Sequence, residues 1–466
     1  MISAPAGQFD MAKTLGVITE YDPYHKGHAY FLEEAKQLSG ADRTIAVMSG
    51  AFVQRGEPAM FDKYLRAEAA VRNGVDLVVE LPFAYGATGP ENFARGGVRI
   101  LSAIGLVDAI AFGSESAQVE PMKELAQALA FESPVLSNRI TTELAKGITY
   151  PAARHAAVEA EFGKSAANML IKPNDILAIE YLKQLYLIEA ETTKRGLICF
   201  HPGASAKGEP LLEAIYAVQR KGSGPDGIDS EIGFAGAGAI RMMFREGHLG
   251  EAFSYLPEPT AELIQHRIHD YQPEISVWEM RTERDLRIDM GKRRSPGGFG
   301  MVFPESLYVP FQYALLSIGP KAASAIYTVS EGIENRLFEG AMRAKNYYEL
   351  ISLVKSKRFT ESRIRRLVLH TTLRLSKADM KRAMNERICV RILAFNNKGA
   401  EILKELRASD PSARGIVLYQ NLRVQEDELS KSPALIELSV RADKLYHMVV
   451  EGNLTNYKYS PEPVIV

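Results

Sequence analysis

Cysteine is nearly absent. There are two, Cys199 and Cys389, and no CxxC pair. A structural zinc site built on cysteine is therefore not expected, nor any other structural metal. So few thiols fit a reducing compartment. No stretch approaches the roughly 18 uncharged apolar residues that cross a bilayer, so no membrane span is expected. Met1 to Lys13 contains Asp10 and no long apolar run, unlike a secretory signal. A cytoplasmic location is the expectation. Net charge is also missing: the formal value is -1. That argues against a surface uniformly coated for nucleic acid, while leaving room for a local basic patch. Internal repeats and low-complexity tracts are absent too.

What is present is an ordinary globular composition, 46% hydrophobic and 24% charged, with length for two or three domains at roughly 100–200 residues each. The first 115 residues alternate two signals. Leu15 to Glu20, Thr44 to Met48, Asp76 to Leu81 and Ala109 to Phe112 read as strands. Ala29 to Leu38, Asp62 to Asn73 and Phe93 to Ile104 read as helices, stopped at Gly40, Gly74 and Gly105. Alternation of this kind predicts parallel strands with right-handed crossovers in an open doubly wound α/β sheet.

From Met122 to about Gly250 the chain still reads as α/β with longer helices. Asn174 to Leu187 is a helix with Asn174 as its cap. Leu197 to Phe200 reads as a strand, and the glycine-rich Gly233 to Gly238 precedes a helix over Ala239 to Arg245. GKRRSPGGFG at Gly291 to Gly300 reads as a loop dividing the chain. Residues 311–395 show several helical stretches. After them come short β-like runs at Gly415 to Tyr419 and Leu445 to Val450. The expected division is an α/β nucleotide-binding domain over 14–290, a basic helical domain over 301–395, and a small mixed segment over 396–466.

Chemistry concentrates at Tyr21-Asp22-Pro23-Tyr24-His25-Lys26-Gly27-His28. It follows the first strand and opens the first helix. Ligands of doubly wound sheets sit beyond the carboxyl ends of the strands, and a helix N-terminus there suits phosphate. Gly27 allows close approach. His25 and His28, three apart, can share one side of the turn and donate to an α-phosphate as its charge grows. Lys26 adds positive charge. The competing reading is a polar turn whose histidines cap the helix. Arg55, Asp62, Lys63 and Arg66 follow the second strand and read equally as ligand contacts or salt-bridge partners. Gly113, after the fourth strand, could let a nucleotide lie against the backbone.

Six segments in order carry a resemblance: EYDPYHKGH, MSGAFVQRGEP, DKYLRAEAAVRNGVDLVVELP, FGSE, KPNDILAIEYLK and EGIENRLFE. Together they resemble the bacterial tRNA(Met) cytidine acetate ligases, proteins of the HxGH nucleotidyltransferase fold. The likeness is dense over about 15–200 and clear over about 330–375. It implies activation of acetate with ATP to acetyl-AMP, then acetylation of N4 of the wobble cytidine in elongator tRNA(Met). ATP, with magnesium bridging its phosphates, is the implied cofactor. His25 and His28 are the implied catalytic pair. The implied nucleotide contacts are Ile18, Thr19, Glu20, Tyr21, Asp22, Pro23, Tyr24, His25, Lys26, Gly27, His28, Ala29, Tyr30 and Phe31, with Gly113, Asn174 and Arg195. The chain departs from the family at Asp22, Lys26 and Ala51, each usually Asn. It departs most where a serine- and threonine-bearing motif becomes Gly236-Ala237-Gly238-Ala239-Ile240-Arg241. Arg241 is kept, and the amides of a glycine-rich turn could replace the lost hydroxyls.

Between Ala341 and Arg391 stand 14 Lys/Arg against 4 Asp/Glu. Arg343, Lys355, Lys357, Arg358, Arg363, Arg365 and Arg366 are the candidate RNA contacts, because clustered cations are the footprint phosphates select. The alternatives are a small-molecule adenylyltransferase, which has no use for this basic region, and a catalytically impaired RNA-binding homologue.

Overall fold

The computed structural model describes residues 13–195, 211–222, 224, 226–229, 233–271, 300–330, 332–408, 416–419, 433–455, 457 and 461–466. The expected strand at Leu197 to Phe200 and the loop residues 291–299 lie outside them.

Four buried strands form first: β1 (Thr14–Thr19), β2 (Arg43–Ser49), β3 (Leu77–Leu81) and β4 (Ala109–Ser114). Helices α1 (Lys26–Ser39), α2 (Lys63–Arg72), α3 (Phe83–Gly86) and α4 (Pro90–Ile104) connect them. The strands are apolar on both faces, as parallel strands covered by helices must be. Gly40 and Gly105 end their helices in the left-handed conformation, φ 63 and φ 70. Leu15 pairs with Thr44 of β2 on one side and with Ala109 of β4 on the other, both parallel. The chain thus winds outward from β1 in two directions, and the crevice of such a sheet opens between β1 and β4.

The next stretch is more helical than expected: α5 (Val119–Ala130), α6 (Pro134–Ala145), α7 (Tyr150–Met169) and α8 (Pro173–Arg195). Among the described residues of this stretch, β5 (Ile215–Gln219) joins the main sheet, parallel to β4. A small hairpin, β6 (Ile228–Asp229) with β7 (Phe234–Ala235), leads to α9 (Ala237–Glu246), α10 (Leu249–Ser254) and α11 (Glu258–Tyr271).

The basic region folds as α12 (Tyr308–Ala323), α13 (Ile333–Arg343), α14 (Tyr347–Val354), α15 (Glu361–Thr372) and α16 (Lys377–Asn385). The first four pack around their own core, which includes Phe311, Leu337, Tyr347, Leu350 and Leu367, while Met380 and Ala383 of α16 join the core of the main sheet. The chain then returns to the main sheet. β8 (Ile388–Phe395) lies antiparallel to β3, with Leu77 opposite Phe395. After α17 (Asn397–Ala408), β9 (Ile416–Tyr419) and β10 (Val464–Ile465) pair parallel to β8. Residues after 395 therefore continue the α/β sheet. The expected β-like run at Leu445 to Val450 lies inside α18 (Ala434–Glu451). Leu435, Leu438, Ala442, Leu445 and Val449 recur every three or four residues and are all buried, a helical period that a six-residue window conceals.

Candidate active site

At the β1/β4 switch point lies a cavity of about 250 Å³. The His25–His28 turn forms one wall. His25 is the N-cap of α1, and its Nδ1 accepts from the Gly27 N–H at 3.0 Å. The His28 Nδ1 accepts from the His25 N–H at 3.3 Å. This is a capping box made of two imidazoles. The rings stack with centroids 3.8 Å apart. Because each Nδ1 accepts a backbone proton, the neutral ring must carry its own proton on Nε2. Burial, then Arg220 and Arg241, push the His25 pKa down to about 3. Burial, His25 and Arg220 hold His28 well below its ordinary range. Two neutral rings therefore present Nε2–H donors beside the cavity they line. The capping reading of this turn is realised on the Nδ1 atoms, which leaves each Nε2 to the cavity that both residues line.

The opposite walls are cationic. Arg220, just past β5, donates to Asn174 Oδ1 at 3.2 Å and lies over Gly113. Lys221 sits 4.0 Å from the Tyr30 ring centre. Arg241 donates to the Asp22 carbonyl at 2.7 Å and pairs with its carboxylate at 3.5 Å. Gly236 caps α9 without a side-chain bond. The first-turn amides of α9 thus stand beside the cavity, which Gly236 and Ala237 line, and such amides bind phosphate.

Nearby carboxylates are occupied. The Asp22 Oδ1 accepts from the Met60 N–H at 2.7 Å. Glu115 accepts from the Asn174 and Asp175 amides and from the Asn174 side chain. Asn174 is therefore not the cap expected of it: Glu115 caps α8 across the crevice, and Asn174 is turned toward Arg220. Among the described residues no group of three or more His, Cys, Asp or Glu could hold a metal ion.

A family model described as HIGH Nucleotidyl Transferase matches residues 12–199 and 209–461. A tRNA(Met) cytidine acetate ligase of Thermoanaerobacter sp. is 34% identical over 85% of this chain and 86% of its own. The chain belongs to the tRNA(Met) cytidine acetate ligase family. The Bacillus subtilis relative of the same name is 30% identical, over 95% of this chain and 94% of its own. The crystal structure of Thermotoga maritima TmcAL bound with alpha-thio ATP superposes with a TM-score of 0.78 at 30% identity, covering 97% of this chain and 99% of that one.

Within this family member, Ile18, Thr19, Glu20, Tyr21, Asp22, His25, Gly27, His28, Tyr30, Phe31, Gly113 and Asn174 line the cavity. Pro23, Tyr24, Lys26 and Ala29 do not. Pro23 follows a cis bond from Asp22. Tyr24 is wholly buried against Tyr21, ring centres 4.7 Å apart. Ala29 packs on the core beneath α1. The Lys26 Nζ donates to the Ser254 carbonyl at 2.7 Å, at the C-terminal end of α10. Arg195 ends α8, and its side chain lies outside the described residues. Arg66 is structural: its guanidinium donates to the carbonyls of Glu20, Ser49, Gly50 and Phe61, tying the ends of β1 and β2 together.

Arg220, Lys221 and Gln54 were not anticipated as cavity residues. The one available signal for the first two was a β-rich run, Ile215 to Gln219, ending in two cations.

The basic residues divide. Arg343, Lys355, Lys357 and Arg358 are exposed, with Lys355 3.4 Å from Glu361. Arg363 stacks on Phe359 and bonds to Ser330. Arg365 pairs with Glu57 and Glu361. Arg366 donates to the Gln54 carbonyl at 3.3 Å. Gly56, at φ 80, has no room for a Cβ, which would fall 2.5 Å from the Arg366 Cα. These two arginines hold the loop after β2 instead of facing solvent.

Proposed function

We propose that this protein makes acetyl-AMP from ATP and acetate, then transfers the acetyl group to N4 of the wobble cytidine of elongator tRNA(Met). The reading places it in the cytoplasm, with that tRNA. The observation that carries it is the pair of neutral imidazoles, Nδ1 on the backbone and Nε2–H toward a cavity that also holds Arg220, Lys221 and Arg241. Fixed donors of this kind match charge that develops on a phosphate. An acetate oxygen attacks the α-phosphorus in line, the bond to the β-phosphate bridge breaks, and pyrophosphate leaves. His25 and His28 donate to the α-phosphate oxygens as the five-coordinate state forms. Arg220, Lys221 and the amides of α9 serve the remaining phosphates, in place of the hydroxyls missing at Gly236 and Gly238. Magnesium bound with the nucleotide would help neutralise the phosphate charge beside Arg220 and Lys221. Holding the reactants together supplies much of the rate.

The helical part, residues 301–385, is the proposed tRNA platform, with Arg343, Lys355, Lys357 and Arg358 contacting phosphates. Relatives named for a tRNA substrate support this over a small-molecule adenylyltransferase. The test incubates protein, ATP, labelled acetate and tRNA. Labelled N4-acetylcytidine is expected. Nucleotide binding with no acyl-adenylate would instead mark an impaired homologue, and salt-insensitive filter retention of tRNA would remove the platform.

A further inference from the structure

One side of the cavity wall, a lobe marked by Glu20 and Gln54, is not used by the phosphate chemistry proposed above. Glu20 follows β1 and Gln54 lies in the loop after β2. The Gln54 N–H donates to Glu20 Oε1 at 2.6 Å. Both side chains line the cavity, as do the buried rings of Phe93 and Tyr181. The Gln54 Nε2 is buried and has no hydrogen-bond partner among the described residues. A buried amide donor left unpaired is costly, so a ligand atom is its natural complement. An aromatic-walled slot with one acceptor and one free donor fits the edge of a nucleobase bearing an amine.

Position decides which base. Gly113, Asn174 and Arg220 belong to the β4 and β5 side, while Glu20 and Gln54 belong to the β1 and β2 side. The Gln54 carbonyl is held by Arg366 of α15, so this lobe adjoins the basic helices. We propose that Glu20 and Gln54 form the subsite for the acceptor cytosine, in place of the nucleotide contact that the resemblance implied for Glu20, with Glu20 taking the proton that its amine loses on acetylation. This rests on the function proposed above.

Cytosine offers an N4 amine donor beside the N3 and O2 acceptors, and carboxylate-to-N4 is a recognised pairing. Gln54 Nε2 donates to N3 or O2. Uracil would set its O4 acceptor against the carboxylate and be refused. A base stacked in a loop must be turned out to enter such a slot. In the transfer step the N4–C bond forms, the acyl C–O bond to AMP breaks, AMP leaves as its anion, and the N4 proton passes to Glu20. Burial raises the Glu20 carboxyl above its ordinary value. The Gln54 N–H opposes this, Asp22 adds to it, and Arg55 and Arg241 oppose it. A raised carboxyl is the better proton acceptor near neutrality.

The experiment measures two half-reactions in wild type, Glu20→Gln and Gln54→Leu: acetate-dependent ATP–pyrophosphate exchange, and acetylcytidine formation on tRNA. The expected result is a fall in the ratio of transfer to exchange, about 100-fold or more for Glu20→Gln and roughly tenfold for Gln54→Leu. The rise of transfer with pH in wild type should flatten in Glu20→Gln. Exchange and transfer falling together would assign the lobe to adenine and overturn the proposal, as would transfer surviving in both variants. A wild type that shows no exchange overturns the parent reading instead.

Discussion

Two cavities of similar size have their charges arranged in opposite ways. The first, about 250 Å³, has two neutral imidazoles and the cations Arg220 and Lys221, neither in an ion pair among the described residues. The second, about 260 Å³, is lined by Lys63, Arg391 and Asp443, and its charges are closed on themselves. Lys63 reaches Glu80 and Asp443, each at 2.7 Å, and Arg391 reaches Asp443 at 2.8 Å and Glu80 at 3.5 Å. Two cations balance two anions. The lesson is that a cluster whose charges neutralise one another holds the fold together, whereas cations without an acidic partner remain available to a ligand. Lys63, an open question on sequence grounds, belongs to the balanced set, which fastens α18 and β8 to α2 and β3.

The contrast breaks most sharply at Asp443. Asp443→Ala strands two buried cations on Glu80 and should cost about 3–5 kcal/mol of stability in denaturant titration. Lys63→Met combined with Asp443→Leu should recover part of that loss. In the first cavity His28→Ala should lower acetate-dependent pyrophosphate exchange about 10²–10³-fold with a much smaller change in melting temperature. Arg220→Met should weaken nucleotide binding roughly 10–100-fold by calorimetry, the scale of a hydrogen bond to charge.

Acid provides a gentler test. His25 and His370 have pKa values lowered to about 3, both chiefly by burial. In the unfolded chain they protonate near their ordinary 6.5, so the fold favours the neutral form. Stability is full above about pH 6.5 and declines as pH falls from there toward 3. Melting temperature should drop between pH 7.5 and 5, and less so in His370→Asn. The smallest effect lies on the basic helices. Lys357→Ala should reduce the slope of tRNA affinity against salt by about one. Arg365→Ala should leave that slope alone and lower thermal stability, because its partner is Glu57.

The leading αβ turn was legible because every part of it is contiguous: strand, two histidines, glycine and helix start fall within residues 14–39. The four strands and their helices were legible for the same reason. What composition could not show was pairing over distance. Lys63 and Asp443 are 380 positions apart, and nothing local in either segment announces the other. Arg220 reaches Asn174 from 46 positions away. The density of cations over 341–391 was real, yet counting could not separate Lys357, in solvent, from Arg365, committed to the loop after β2.

The antiparallel seating of β8 on β3 also governs how the chain comes into being. As the polypeptide leaves the ribosome, β3 is complete long before its neighbour exists. Its outer row of amides and carbonyls must wait, unprotected, while the whole helical platform is made. An open strand edge invites adhesion to other chains, and contacts so distant in sequence form slowly. Nascent chains halted before Ile388 should accordingly be cut readily by protease within β3, and chains carried past Val466 should not.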